Sequence, residues 1–97
     1  MTDVEIADTV AAITLSVAGV AGLHGGEFGE VATYLPGRKV VGVRIDSQYC
    51  DIHISADYPS DVNGVARGVL AAVAPHVPVP VSVTVEDVIA HSRGASS

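Results

Sequence analysis

Residues 50–88 read CDIHISADYPSDVNGVARGVLAAVAPHVPVPVSVTVEDV, and the spacing of their apolar residues changes period twice. From Cys50 to Tyr58 the chain alternates, with Cys50, Ile52, Ile54, Ala56 and Tyr58 on one side and Asp51, His53, Ser55 and Asp57 on the other. A period of two belongs to a strand with one buried and one wet face. The spacing then becomes helical. Val62, Val65, Val69 and Val73, flanked by Ala66 and Leu70, form one stripe of a helix over 61–75 that Ser60 or Asp61 caps and Pro75 ends. Gly64 and Gly68 lie one turn apart in it and allow a close approach of whatever packs there. From residue 79 the alternation returns, with Val79, Val81, Val83 and Val85 inward and Ser82, Thr84 and Glu86 outward. Strand, helix and strand in this order predict a right-handed crossover unit.

Upstream, residues 1–19 read as a helix. Thr2 and Glu5 fit a capping box, Ile6, Val10, Ile13 and Val17 make one stripe, and Gly19 supplies the stop. A glycine-rich stretch follows, GVAGLHGGEFG at 19–29, then a short strand at EVATYL closed by Pro36-Gly37. KVVGVRID at 39–46 alternates again, with Val41, Val43 and Ile45 on one face and Val40, Gly42 and Arg44 on the other, and SQY connects it to the strand at 50. The expected order is therefore α-β-β-β-α-β. It predicts an α+β, two-layer sandwich, a mostly antiparallel sheet with both helices on one face, resembling a ferredoxin-like fold that lacks its first strand. One domain over residues 1–90 and a disordered tail over 91–97 are expected. The missing strand is expected to leave a free sheet edge, which proteins usually cover, often by self-association.

Composition narrows the function classes. Of 97 residues, eleven are acidic and five basic, a net charge of −6, and the basic ones form no cluster. Nucleic acid and anionic membrane surfaces are poor partners for such a chain, and an RNA-binding module is disfavoured on the same ground. The single cysteine rules out an internal disulfide and any cysteine-based zinc cluster. No apolar run reaches the ~20 residues of a membrane-spanning helix, so direct membrane insertion is not expected. The acidic N-terminus is unlike a signal peptide, which predicts a cytoplasmic protein.

Three stretches invite a chemical reading. The glycine-rich segment lacks the Lys-Ser/Thr of a phosphate loop, and it follows a helix where a dinucleotide loop would precede one. Glu27 and Glu30 would repel an anion, so it reads as a helix exit leading into a hairpin. Cys50 shares the apolar side with Ile52 and Ile54 while His53 points the other way, so it reads as a buried, inert thiol. Asp51, His53 and Asp57 line one wet strand face and are the candidates for a divalent metal. Neighbours at i, i+2 lie nearly ~7 Å apart, too far for all of them to converge on one ion, so the reading taken is a solvated face with no metal site. His24, His76 and His91 form no ligand spacing, and no nucleophile elbow is present. No catalytic residue, no cofactor and no enzymatic activity are expected.

Certain motifs add a family resemblance. Val17-Ala18-Gly19-Val20-Ala21-Gly22-Leu23 fits a V-x-G-V-x-x-L element, Lys39 to Ile45 a K-x-V-x-V-type strand, Asp51 to Tyr58 a strand running into a tyrosine, and Val83 to Val88 a terminal V-x-V-x-x-V. Over about residues 4–89 the chain resembles the alkaline shock protein (Gls-type) family. Two features depart from its pattern: no strand precedes the first helix, and Pro59 stands where a glycine usually follows the tyrosine. The resemblance implies a non-enzymatic interaction or scaffold protein of the envelope stress response and cell-envelope homeostasis, self-associating, cytoplasmic, and held at the membrane by an anchor protein or a paralogous family member. The alternative is a small-ligand or metal-binding regulatory domain that uses the Asp51/His53/Asp57 face.

Overall fold

The structure, a computed structural model, describes residues 3–90. Thr2, with its capping box, and the tail at 91–97 lie outside the described residues. In chain order the elements are α1 (Asp3–Leu15), β1 (Val20–Leu23), β2 (Ala32–Leu35), β3 (Arg38–Val41), β4 (Val43–Ile45), β5 (Cys50–Tyr58), α2 (Val62–Val73), a single 3-10 turn (Ala74–His76) and β6 (Val81–Ala90).

The alternating strand at the centre of the sequence is the centre of the sheet. β6 runs parallel along one edge of β5, from Cys50 opposite Val81 to Tyr58 opposite Ala90. The other edge is shared end to end by two short antiparallel strands: β4 pairs with Cys50, Asp51 and Ile52, and β1 with Ile54, Ser55 and Ala56. In a ferredoxin-like sheet the two strands of a split βαβ unit are separated by another strand. Among the described residues no such strand exists, and β5 and β6 close the gap by pairing directly. The α+β sandwich expected from the sequence is thus present, with an antiparallel edge on one side and a parallel edge on the other.

Both helices cover one face. Cys50, Ile52, Ile54 and Ala56 of β5 are fully buried there against Ala7 and Val10 of α1 and Val65, Val69 and Val73 of α2. Truncating either isoleucine to alanine removes about 2–5 kcal/mol, a large part of what a small domain has to spare. Gly19 has φ +93°, and a Cβ there would stand 2.5 Å from Val65 Cγ2, so the exit from α1 packs directly on α2.

Four local expectations are corrected. First, Val20–Leu23, read from sequence as part of a turn, is a strand, because β5 offers a free edge at Ile54–Ala56. Second, KVVGVRID is two strands. Gly42 has φ +87° and breaks the alternation, so Val40 and Val43 are both buried while Val41 is exposed. Third, α1 turns its Ala7–Val10–Thr14 line to the core, leaving Ile6, Ile13 and Val17 at its margin. Fourth, Ser55, expected to be wet, is buried between Gly22 of β1 and Asp87 of β6.

The hairpin β2–β3 manages the outer edge of β4. Its Thr33 hydroxyl donates to Val43 O (2.6 Å) and accepts from Ile45 N (3.3 Å), which occupies the edge groups another chain would seek. The hairpin is tied to α1 by a bidentate pair, Arg38 to Asp8, at 3.0 and 2.6 Å. Before β5, Asp46 forms an Asx turn, its carboxylate accepting from the Gln48 and Tyr49 amides.

Candidate functional site

The face of the sheet opposite the helices carries the chemistry, and the register of β6 decides which residues meet there. Up to Ile54–Val85 the parallel register is regular, so Asp51 lies beside Ser82 and His53 beside Thr84. The register then slips by one. Ser55 pairs with Asp87, and Glu86 becomes the extra residue of a β-bulge. Two consecutive carboxylates therefore reach the open face where a regular strand would present one. The Glu86 carboxylate is hydrogen-bonded through Oε2 to His53 Nδ1, and the two side chains keep only 17% and 24% of their exposure.

A second imidazole stands beside the first. β1 runs antiparallel to β5, and just past its end the His24 amide donates to His53 O at 2.9 Å. His24 Nε2 lies 3.8 Å from Asp87 Oδ2, across β5, while its Nδ1 accepts from the Gly26 amide at 2.9 Å. The open face thus holds two imidazole–carboxylate pairs, His53–Glu86 and His24–Asp87, on neighbouring residues.

Of the three metal candidates named from sequence, Asp51, His53 and Asp57, only His53 belongs to this cluster. Asp51 accepts a hydrogen bond from Ser82 Oγ, two residues along the strand, and Asp57 lies two pairs beyond Ser55, opposite Ile89. A rise of about 3.3 Å per residue spaces them along the strand. Among the described residues, no group of three or more His, Cys, Asp or Glu side chains is arranged to hold a metal ion. What is present is two imidazole–carboxylate pairs, short of a complete ligand set among the described residues. His24, Glu86 and Asp87 were missed as partners for distinct reasons. His24 follows a strand hidden among glycines, and the bulge that turns both acids outward leaves no mark in an alternating pattern. Glu86 was legible as outward, and the parallel pairing of β5 and β6 would have set it against His53.

Two other features carry no site chemistry. Cys50 is fully buried, and burial first, then the nearby Asp51 charge, pushes its thiol pKa up to about 11. That suits an inert thiol. The depression beside Gly19, Gly64 and Gly68 is open and mainly apolar, with Ser60 and Asp61 as the polar residues of its lining.

The sequence matches no protein-family model and no curated protein. Its fold does match solved structures of MamM. One is a tryptophan-to-alanine variant of the MamM C-terminal domain, 17% identical over all of this chain and 91% of that one, with a TM-score of 0.55. A second, described as a manganese form of a glutamate-to-aspartate variant of that domain, is 16% identical over 93% of this chain and 100% of that one, with a TM-score of 0.57. A valine-to-arginine variant of MamM is 17% identical over 90% and 87% of the two chains, at a TM-score of 0.53. The chain is similar in fold to the MamM C-terminal domain.

This corrects the resemblance to alkaline shock proteins, and with it the envelope-stress role and the scaffold function drawn from it: no family model supports them, and the matching folds are MamM domains. The physical reason lies in the motifs. Alternating valines and glycine stops record a helix-strand sandwich, here the Gly19 contact with Val65 and the β5–β6 pairing, and such patterns are not confined to one family. Among the described residues no helix is long and apolar enough to cross a membrane.

Proposed function

We propose that the domain is a divalent-cation-responsive regulatory module that takes its ion on the open face of the sheet, at His53. The carrying observation is the His53–Glu86 pair, a half-buried imidazole held by a carboxylate on a face that the helices leave uncovered. An imidazole with carboxylates nearby suits ions such as Zn²⁺, Mn²⁺, Fe²⁺ or Ni²⁺. The manganese form among the structures of similar fold supports the same class of ligand.

The module binds and does not catalyse. The described residues of one chain supply too few donors for a closed site, so water and a second copy complete it. Two copies of a chain with net charge −6 repel each other, and a divalent cation between their acidic faces offsets that repulsion. Ion occupancy and self-association are thereby coupled, which is what makes the module regulatory. In this reading the domain is cytoplasmic, and any contact with a membrane runs through a partner protein.

The test is thermal unfolding of the metal-free chain with added Mn²⁺ or Zn²⁺. Free ion at a hundred times its Kd stabilises a native-state binder by about 2.7 kcal/mol, which raises the midpoint by about 10 °C or more in a domain of this size. His53→Ala is expected to lose that rise. No rise at millimolar ion, or an equal rise in His53→Ala, overturns the proposal.

A further inference from the structure

The two histidines of the open face are neighbours, yet their ring nitrogens are engaged in opposite senses. At His53 the partner is the Glu86 carboxylate, which only accepts, so Nδ1 carries the proton. The lone pair of that ring is then at Nε2, on the far side from Glu86. At His24 the partner of Nδ1 is the Gly26 amide, which only donates, so Nδ1 offers its lone pair and the proton sits on Nε2. That proton-bearing nitrogen is the atom facing Asp87, at 3.8 Å.

We infer that the opposed tautomers divide the labour: His53 ligates a divalent cation through Nε2 with Glu86 as its positioning residue, whereas His24 is a hydrogen-bond donor directed at Asp87 and does not ligate. The ligand assignment rests on the cation-binding reading above; the tautomer assignment does not. A carboxylate that takes the far N–H of an imidazole fixes the ring, raises the basicity of the other nitrogen and is a recurrent support for metal-bound histidine. His24 has the inverse arrangement. For its Nε2 to bind an ion, the proton there would have to leave, and Nδ1 could take one up only by giving up the Gly26 amide. The bulge is the element that builds this division, because it adds the one residue that lets Glu86 hold His53 while Asp87 faces His24.

The experiment is long-range ¹H–¹⁵N correlation of the imidazoles in the metal-free chain at neutral pH, with His24→Gln and His53→Gln used for assignment, followed by Zn²⁺ titration. Wild-type His53 is expected in the Nδ1–H form and His24 in the Nε2–H form. Glu86→Gln, which keeps an acceptor oxygen, is expected to retain the His53 tautomer. Glu86→Ala is expected to release it to the Nε2–H form that free histidine prefers, and to weaken Zn²⁺ binding about 10- to 100-fold at unchanged stoichiometry. On adding Zn²⁺, Nε2 of His53 is expected to shift and His24 to stay in place. His53 found as the Nε2–H form in wild type, or a Zn²⁺ response at His24 in place of His53, overturns the inference. Tautomers as assigned with no response to Zn²⁺ at either ring overturn the ligand assignment and the cation-binding reading together, and leave Glu86 as a positioning residue for the ring alone.

Discussion

Gly42 shows how much a single residue decides here. It separates β3 from β4, and a Cβ on it would lie 2.7 Å from Leu23 Cβ, 3.0 Å from His24 N and 3.1 Å from His53 O. Those are the atoms at the joint where β1 meets β4 along β5. With φ at +87° as well, Gly42→Ala is expected to cost about 1–3 kcal/mol, measurable as a lower urea midpoint. It also shifts the His24 and His53 backbones, so it is expected to alter the His53 ring environment. The sequence shows a glycine there but not its φ, which is why the valine alternation misread Val40 and Val41. Thr14 is the opposite case. It is fully buried in α1, and its hydroxyl has no hydrogen-bond partner among the described residues. Thr14→Val keeps the shape and removes an unsatisfied group, so a gain of about 1 kcal/mol is expected, seen as a melting midpoint higher by about 4–8 °C. Cys50, with its thiol pushed up to about 11, is expected to resist alkylation in the native chain at neutral pH and to react on unfolding.

At the level of elements, α2, β5 and β6 were legible from period alone, because each has a long run of valine or isoleucine at one spacing. β1 was not, since four residues between glycines carry no period, and only pairing with β5 makes them a strand. The bulge was invisible for a related reason. It depends on the register of two strands, a property of neither sequence taken singly, so the candidate site was half legible: His53 from its wet face, its partner Glu86 only through the pairing. The docking of the hairpin on α1 rests in part on Arg38–Asp8. The hydrogen bond from Arg38 holds the Asp8 carboxyl below its usual range, and Asp8 holds Arg38 above its own. A lowered carboxyl stabilises the fold above the ordinary carboxylate pKa of about 3.9, and that contribution fades as pH falls through the lowered value. Both groups are exposed, so the effect is small. Asp8→Asn is expected to sit slightly below wild type at neutral pH and to converge with it in acid, in urea unfolding repeated across pH.

Taken whole, the molecule is a sandwich with one dry and one wet side. The helices seal the dry side and leave Asp51, Glu86, Asp87 and the two imidazoles on the other. The outer edge of β4 is occupied by Thr33, whereas the outer edge of β6 is unpaired among the described residues, with Val88 and Ile89 exposed toward its end. In the proposed reading charge sets the sign of association: two chains of net charge −6 repel each other, and a cation bound between them offsets that repulsion. The measurement that tests this most directly is light scattering on size-exclusion chromatography of the metal-free chain, of the chain with Mn²⁺, and of His53→Ala with Mn²⁺. The account predicts a monomer, a dimer and a monomer in that order. A wild-type chain whose mass is unchanged by the ion, or a His53→Ala chain that dimerises with it, would contradict the account.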